Sequence, residues 1–211
     1  MSLEPSPSPL NHPIVEQSFA VIDREIGPHR FDPAEYAIAR RVIHSTADFE
    51  FKDLLRFSEG AISGAIAALQ RQIPIVVDVS MVRQGIATMV AKTFCNPIVT
   101  AVEAAGAALP GKTLTETGML RCWEQYPDAI YAIGNAPTAL LALCQAAPMA
   151  TVQPALVIGA PVGFISVLEA KATLAQTPLS QIRVEGRKGG SSVAAAIVNA
   201  LLVLAWEEHG S

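Results

Sequence analysis

Charge is scarce in this chain: Asp, Glu, Lys and Arg make up 16% of its 211 residues, the formal net charge is -4, and lysines and arginines never cluster into a block. Nucleic acid and anionic membrane are therefore excluded as main partners, since both are held by dense cationic surfaces. Cysteine is scarce as well. Cys95, Cys122 and Cys144 are odd in number and far apart, which suits neither a disulfide framework nor a thiolate metal site and points to a reducing cytoplasm. The longest late apolar run reads as too short to span a bilayer. The most apolar late stretch, residues 193–206, is interrupted by Asn199 and reads as a buried helix. The opening MSLEPSPSPLNHP has neither a basic start nor an apolar segment, so residues 1–13 are expected as a disordered tail, and residues 207–211 as a second short tail. A G-x-G-x-x-G fingerprint is also missing, which leaves a dinucleotide fold of the usual kind unsupported.

What the chain does have is apolar mass, 51% of residues, enough for one sizeable core over residues 14–206. Apolar spacing over residues 14–26 predicts a first helix ended by Gly27 and Pro28. Asp32 followed by Pro33 caps a second helix to about residue 43, with His44 at its C-terminal end. A third helix is expected from Ser58 and Glu59 to about Gln72. Strands near residues 74–79, 97–102, 129–133, 155–159 and 181–185 alternate with room for helices, the pattern of a parallel sheet covered on both faces. The fold class is α/β: a three-layer α/β/α sandwich with a five-stranded, mainly parallel, flavodoxin-like sheet and extra N-terminal helices.

One motif is misleading. Gly106-Ala-Ala-Leu-Pro-Gly111-Lys112-Thr113 matches the phosphate-loop pattern G-x-x-x-x-G-K-[ST]. That chemistry needs a strand running into Gly106, whereas the preceding VEAA reads as a helix ending at a glycine, and no later strand closes on a magnesium-binding aspartate. A nucleotide enzyme stays only as an alternative, to be revived if nucleotide stabilises the protein through Lys112.

Three apolar runs end in glycine-bearing loops that open small-residue helices: AIYAIGNAPTALLAL from Ala129, ALVIGAPVGFISVLEA from Ala155 and IRVEGRKGGSSVAAAIVNAL from Ile182. Such loops place backbone N–H groups at helix starts, where anions are held. Gly189, Gly190, Ser191 and Ser192 supply amides and hydroxyls, and Arg187 is suited to clamp a carboxylate, so the ligand expected is anionic and large. Asn135 and Thr138 either bond a ligand from the second loop or satisfy the turn. Lys171 and Glu169 read as a solvated helix face. His44 is the one histidine in a constrained position: helix carbonyls and Asp48 would favour its imidazolium form, and the same place suits plain capping of carbonyls.

SFAVI from Ser18, RRVIHSTAD from Arg40, DVSMVRQGI from Asp78, IGNAPTAL from Ile133, PVGFISVLEAK from Pro161 and GRKGGSSVAAAIVNAL from Gly186 occur together in this order. The chain thereby resembles the precorrin-8X methylmutase family over residues 14–206. The resemblance implies an isomerase of cobalamin biosynthesis that moves a methyl group from carbon 11 to carbon 12 of a tetrapyrrole, precorrin-8X or cobalt-precorrin-8, giving hydrogenobyrinate or cobyrinate. It implies His44 as the catalytic proton donor or acceptor, Ser18 and Arg41 as substrate contacts, no cofactor, no metal ligand set in the protein, and a cytoplasmic homodimer in which the N-terminal helices contribute to the interface or to a shared pocket. Taken alone, Ser18 is a polar residue on an apolar helix face and Arg41 a surface cation. Many members of the family carry a threonine-arginine pair where this chain has TLTETGMLRCW, so Glu116 stands in the arginine's place, and either that contact is lost or another cation, such as Arg121, Arg83 or Lys112, replaces it. A non-catalytic tetrapyrrole carrier is the second alternative, sharing the pocket without needing His44.

Overall fold

The computed structural model describes residues 10–147 and 150–210, so most of the expected N-terminal tail lies outside the described residues. Helix α1 (Pro13–Glu25) begins at once, with the His12 ring accepting a bond from the Ile14 amide (3.2 Å), so His12 caps a helix instead of belonging to a tail. Helix α2 (Pro33–Thr46) starts in the expected way. Asp32 accepts from the Glu35 amide, Glu35 reaches back to the Asp32 amide, and Pro33 occupies the first turn. It ends at Ala47 in left-handed geometry, two turns of buried Ile38, Ala39, Val42 and Ile43 having carried it across the core.

After a short turn of helix, α3 (Phe51–Leu54), come β1 (Leu55–Phe57), α4 (Ala61–Gln70), β2 (Ile75–Val77), α5 (Ser80–Lys92), β3 (Ile98–Thr100), α6 (Ala101–Ala104), α7 (Leu114–Gln125), β4 (Ile130–Ile133), α8 (Pro137–Ala146), β5 (Leu156–Gly159), α9 (Val167–Ala175), β6 (Gln181–Val184) and α10 (Ser191–His209). The sheet has six strands in the order β1-β6-β5-β4-β2-β3. The five expected strands are its parallel part, and their spatial order is the doubly wound, flavodoxin-like one. The sixth, β1, pairs antiparallel with β6, Leu55 opposite Val184 and Phe57 opposite Ile182. Three residues with a central arginine carry no strand signal of their own, and only the open edge of β6 makes Leu-Arg-Phe a strand.

Alternate strand residues feed two cores. Ile75, Val77, Ile130, Ala132, Ile158 and Ile182 face α2, α4, α5 and α10, with α1 outside α2. Val76, Tyr131, Ile133 and Val157 face α7, α8 and α9. Burial on both faces is why β2, β4 and β5 are unbroken apolar runs, whereas β6, beside the edge strand, carries Gln181 and Arg183. Helix α10 is long and apolar enough to span a bilayer by length and composition, yet it lies mainly inside the protein. It also continues past residue 206, where a tail was expected, because the rings of Trp206 and His209 both pack on Phe94 (5.3 and 5.7 Å). Asn199 donates its side-chain amide to the Gly85 carbonyl of α5 (2.9 Å), while its buried Oδ1 has no partner among the described residues.

Candidate active site

Two clusters of side chains stand at the C-terminal edge of the sheet and on the helices beside it. The first lies between α1 and α2. His44, in the last turn of α2, is half-buried with its ring edge-on to Phe19 at 5.5 Å, and among the described residues its nitrogens have no hydrogen-bond partner. Arg41, one turn earlier, lies over the same Phe19 ring (5.4 Å) and donates to Asn11 Oδ1 (2.8 Å), in a cleft of about 70 Å³ closed by α10. Ser18 is the neighbour of Phe19 and, among the described residues, bonds back to the Ile14 carbonyl (3.0 Å). It falls between the exposed Ile14 and Val21 on one stripe of α1.

The expectation of a stabilised imidazolium at His44 is overturned. Burial, with the nearby Arg41 charge adding to it, holds the pKa of His44 below its ordinary value. Asp48 does not reach the ring, because its carboxylate is taken by Lys188 Nζ (2.5 Å) and the Glu50 amide (2.9 Å).

The second cluster is built by the three glycine loops, which the fold does bring side by side. Gly134 lies so close to the start of α10 that a Cβ there would stand 2.8 Å from Ser191 Cα. Gly189, at φ +153°, would place a Cβ 2.4 Å from the Ala160 carbonyl oxygen, and Gly190 N donates to that same oxygen (2.8 Å). Between these contacts Arg187 is exposed with no side-chain partner among the described residues, and its carbonyl accepts from Gly163 N (3.3 Å). No side chain caps the first turn of α10, at Ser191. Beyond Gly163, Phe164 and Ile165 are 86% and 83% exposed, an apolar surface beside a free cation.

Not every expected group is available. The amides of residues 134–136 are consumed by Asp78, a fully buried carboxylate that sequence reading passed over; burial pushes its pKa up while four backbone N–H groups oppose that. The signal existed, since an acid closing the apolar run IVVD has to be paired with something. Asn135 itself is exposed, and Thr138 meets the Thr113 hydroxyl at 3.0 Å. Lys171 is not on a solvated face: it is 2% exposed and donates to the carbonyls of Gly186 (2.8 Å) and Lys188 (2.7 Å). The solvated face expected for Lys171 is overturned because the loop after β6 folds over the ammonium group.

The two clusters are joined by one charged link. Lys188, from the loop after β6, bonds Asp48 and Glu50 (2.5 and 2.6 Å) in the turn after the helix that carries His44. The phosphate-loop motif is broken up: Lys112 pairs with Glu116 (2.5 Å), Glu116 completes a capping box with Thr113, and residues 101–104 before the motif are helical. Glu116 is thus a helix cap. Arg121 is committed to the Ala104 and Ala105 carbonyls, and Arg83, on the first turns of α5, holds exposed Glu103 (3.3 Å), so all three of the expected substitutes have partners. A cavity of about 650 Å³ beside His29, Arg30 and Arg56 lies at the other end of α2 from His44. Among the described residues no three His, Cys, Asp or Glu side chains group as a metal site.

The precorrin-8X methylmutase family profile matches residues 13–204. A cobalt-precorrin-8 methylmutase of Synechocystis sp. is 60% identical, with 95% of this chain and 99% of that protein aligned. A precorrin-8X methylmutase of Pseudomonas aeruginosa is 36% identical over 89% of this chain and 93% of its own length. Among solved structures, precorrin-8X methyl mutase from Thermus thermophilus superposes with a TM-score of 0.87 at 42% identity, covering 92% of this chain and 96% of that one.

Proposed function

Because the chain belongs to the precorrin-8X methylmutase family, isomerases of cobalamin biosynthesis, we propose that it moves the carbon 11 methyl group of precorrin-8X, or of cobalt-precorrin-8, to carbon 12 with His44 as its catalytic residue. The observation that carries this reading is the state of His44: half-buried, beside Arg41, and with neither ring nitrogen hydrogen-bonded to a described residue. A neutral imidazole has one donor and one acceptor nitrogen, so it polarises the conjugated macrocycle by a hydrogen bond whose strength grows as charge develops during migration. The reaction is intramolecular and needs neither nucleophile nor redox group. Cys122 and Cys144 are accordingly buried thiols, pushed up to about 11 and about 12.

Arg41, Ser18 and Arg187 receive the carboxylates and polar rim of the substrate, helped by Gly189, Gly190 and Ser191 at the start of α10 and by Asn135 and Thr138 from the neighbouring loop. Phe164 and Ile165 supply an apolar face for the ring. The exposed Ile14 and Val21 stripe on α1 supports a homodimer, and buried unpaired thiols suit a reducing cytoplasm.

The deciding experiment is anaerobic turnover of precorrin-8X and, separately, its cobalt form, followed by visible absorption. Conversion of either supports the methylmutase; tight pigment binding with no conversion of both makes the protein a carrier. In the same assay Arg187→Ala weakens product binding about tenfold, the effect of one charge-assisted contact. Lys112→Ala is expected to leave turnover unchanged, and ATP with magnesium to leave the melting temperature where it is.

A further inference from the structure

Open α/β sheets bind ligands where their strand order reverses, in the crevice beyond the carboxyl ends of the strands. Here that point lies between β2 and β4, and it is already filled. Asp78 follows β2 directly. One of its oxygens accepts from the Val79 and Gly134 amides (3.0 and 3.2 Å) and the other from the Asn135 and Ala136 amides (2.6 and 2.8 Å). Successive amides converging on one carboxylate form a nest of the kind that elsewhere holds a phosphate. No cation pairs with this carboxylate among the described residues, so the nest is what compensates its burial.

We infer that Asp78 is a positioning residue for the methyl shift: its carboxylate stands in for a bound anion, fixes residues 134–136, and thereby holds the exposed Asn135 side chain where the substrate meets it. The inference rests on the proposed function and deepens it. It has a structural corollary, because Gly134 abuts the start of α10 so closely that a Cβ there would stand 3.0 Å from Gly190 O, so the loop held by Asp78 also sets the seat of that helix's first turn. It also removes these amides from the places that can grip substrate carboxylates or a nucleotide phosphate, leaving that work to side-chain cations and to the start of α10.

The test is chemical rescue. Asp78→Gly removes the anion and leaves its nest, into which formate fits. The expected result is a KM for precorrin-8X raised about tenfold or more with kcat changed less than about threefold, and a KM restored by formate but less by the larger acetate. Recovery of the melting temperature in formate with no recovery of KM would mean that Asp78 only stabilises the fold, and would overturn the inference. Asp78→Asn, which keeps one acceptor oxygen, guards against a glycine variant that does not fold. Paired with Asn135→Ala it gives a double-mutant cycle: a double variant no worse than either single one is expected, and additive losses in KM overturn the positioning role. Wild-type turnover in the same assay separates the two levels. If the wild type converts precorrin-8X and the variants match it, Asp78 has no such role; if the wild type converts neither pigment, the methylmutase reading falls and this inference with it.

Discussion

His44→Ala lowers turnover by about 10²–10⁴-fold, the range a positioned acid–base or hydrogen-bonding group contributes, while product binding and melting temperature change little. Both halves follow from the geometry. The ring touches Phe19 by its edge and is held by no hydrogen bond to a described residue, so its removal costs the fold little and the reaction much. The pH profile carries a sign. Burial first, and the Arg41 charge second, hold the His44 pKa below its ordinary value of about 6.5, so the neutral ring prevails at neutral pH in the free protein. With the neutral form active, kcat/KM is flat through neutrality and falls as pH drops through that depressed pKa. Arg41→Gln removes the second cause and shifts the acid limb upward. Stability moves in the same direction: the unfolded chain binds more protons between the folded pKa and about 6.5, so unfolding free energy rises with pH across that window. NMR titration of the His44 ring measures the pKa directly. A profile whose activity instead falls on the alkaline side of that pKa would make the imidazolium the working form.

Lys171→Met destabilises the protein by about 2–4 kcal/mol and weakens product binding about tenfold. The ammonium group is buried and charged at neutral pH, although burial draws its pKa down to about 8, and it satisfies two carbonyls that flank Arg187 in sequence. Methionine fills the same space without a donor, which leaves the Gly186 and Lys188 oxygens unsatisfied at about 1–3 kcal/mol each. The loop then loses the anchor that keeps Arg187 at the sheet edge and Lys188 on Asp48 and Glu50. Urea denaturation gives the first effect and pigment titration the second. Lys171→Arg is not expected to rescue either, since a planar fork cannot converge on the same two oxygens from that depth. A Lys171→Met protein within about 0.5 kcal/mol of wild type would show that the loop holds itself.

Legibility in the sequence followed the range of the interaction. Five parallel strands were readable because strands buried on both faces must be apolar throughout, and the α2 cap because Asp32, Pro33 and Glu35 act within one turn. Lys171 and Asp78 were misread or missed for the opposite reason. Their partners lie 15 and 17 residues away for Lys171, and 56 to 58 residues away for the three loop amides around Asp78, so no local pattern announces them. His44 was singled out as a candidate by its place at a helix end and by the surrounding motif, yet the direction of its pKa was misjudged. Asp48, four residues on, turned out to belong to Lys188, 140 residues away.

By itself, then, the amino-acid sequence determined the layered α/β architecture, the three glycine loops, the family and the identity of the candidate site residues, all set by periodicity, by turn chemistry or by motifs written in consecutive residues. Only the tertiary structure decided the antiparallel edge strand, the neutral state of His44, and which amides and cations remain open to a ligand. Those depend on burial and on which distant charge arrives first, and a buried charge takes whatever partner the packed chain delivers to it.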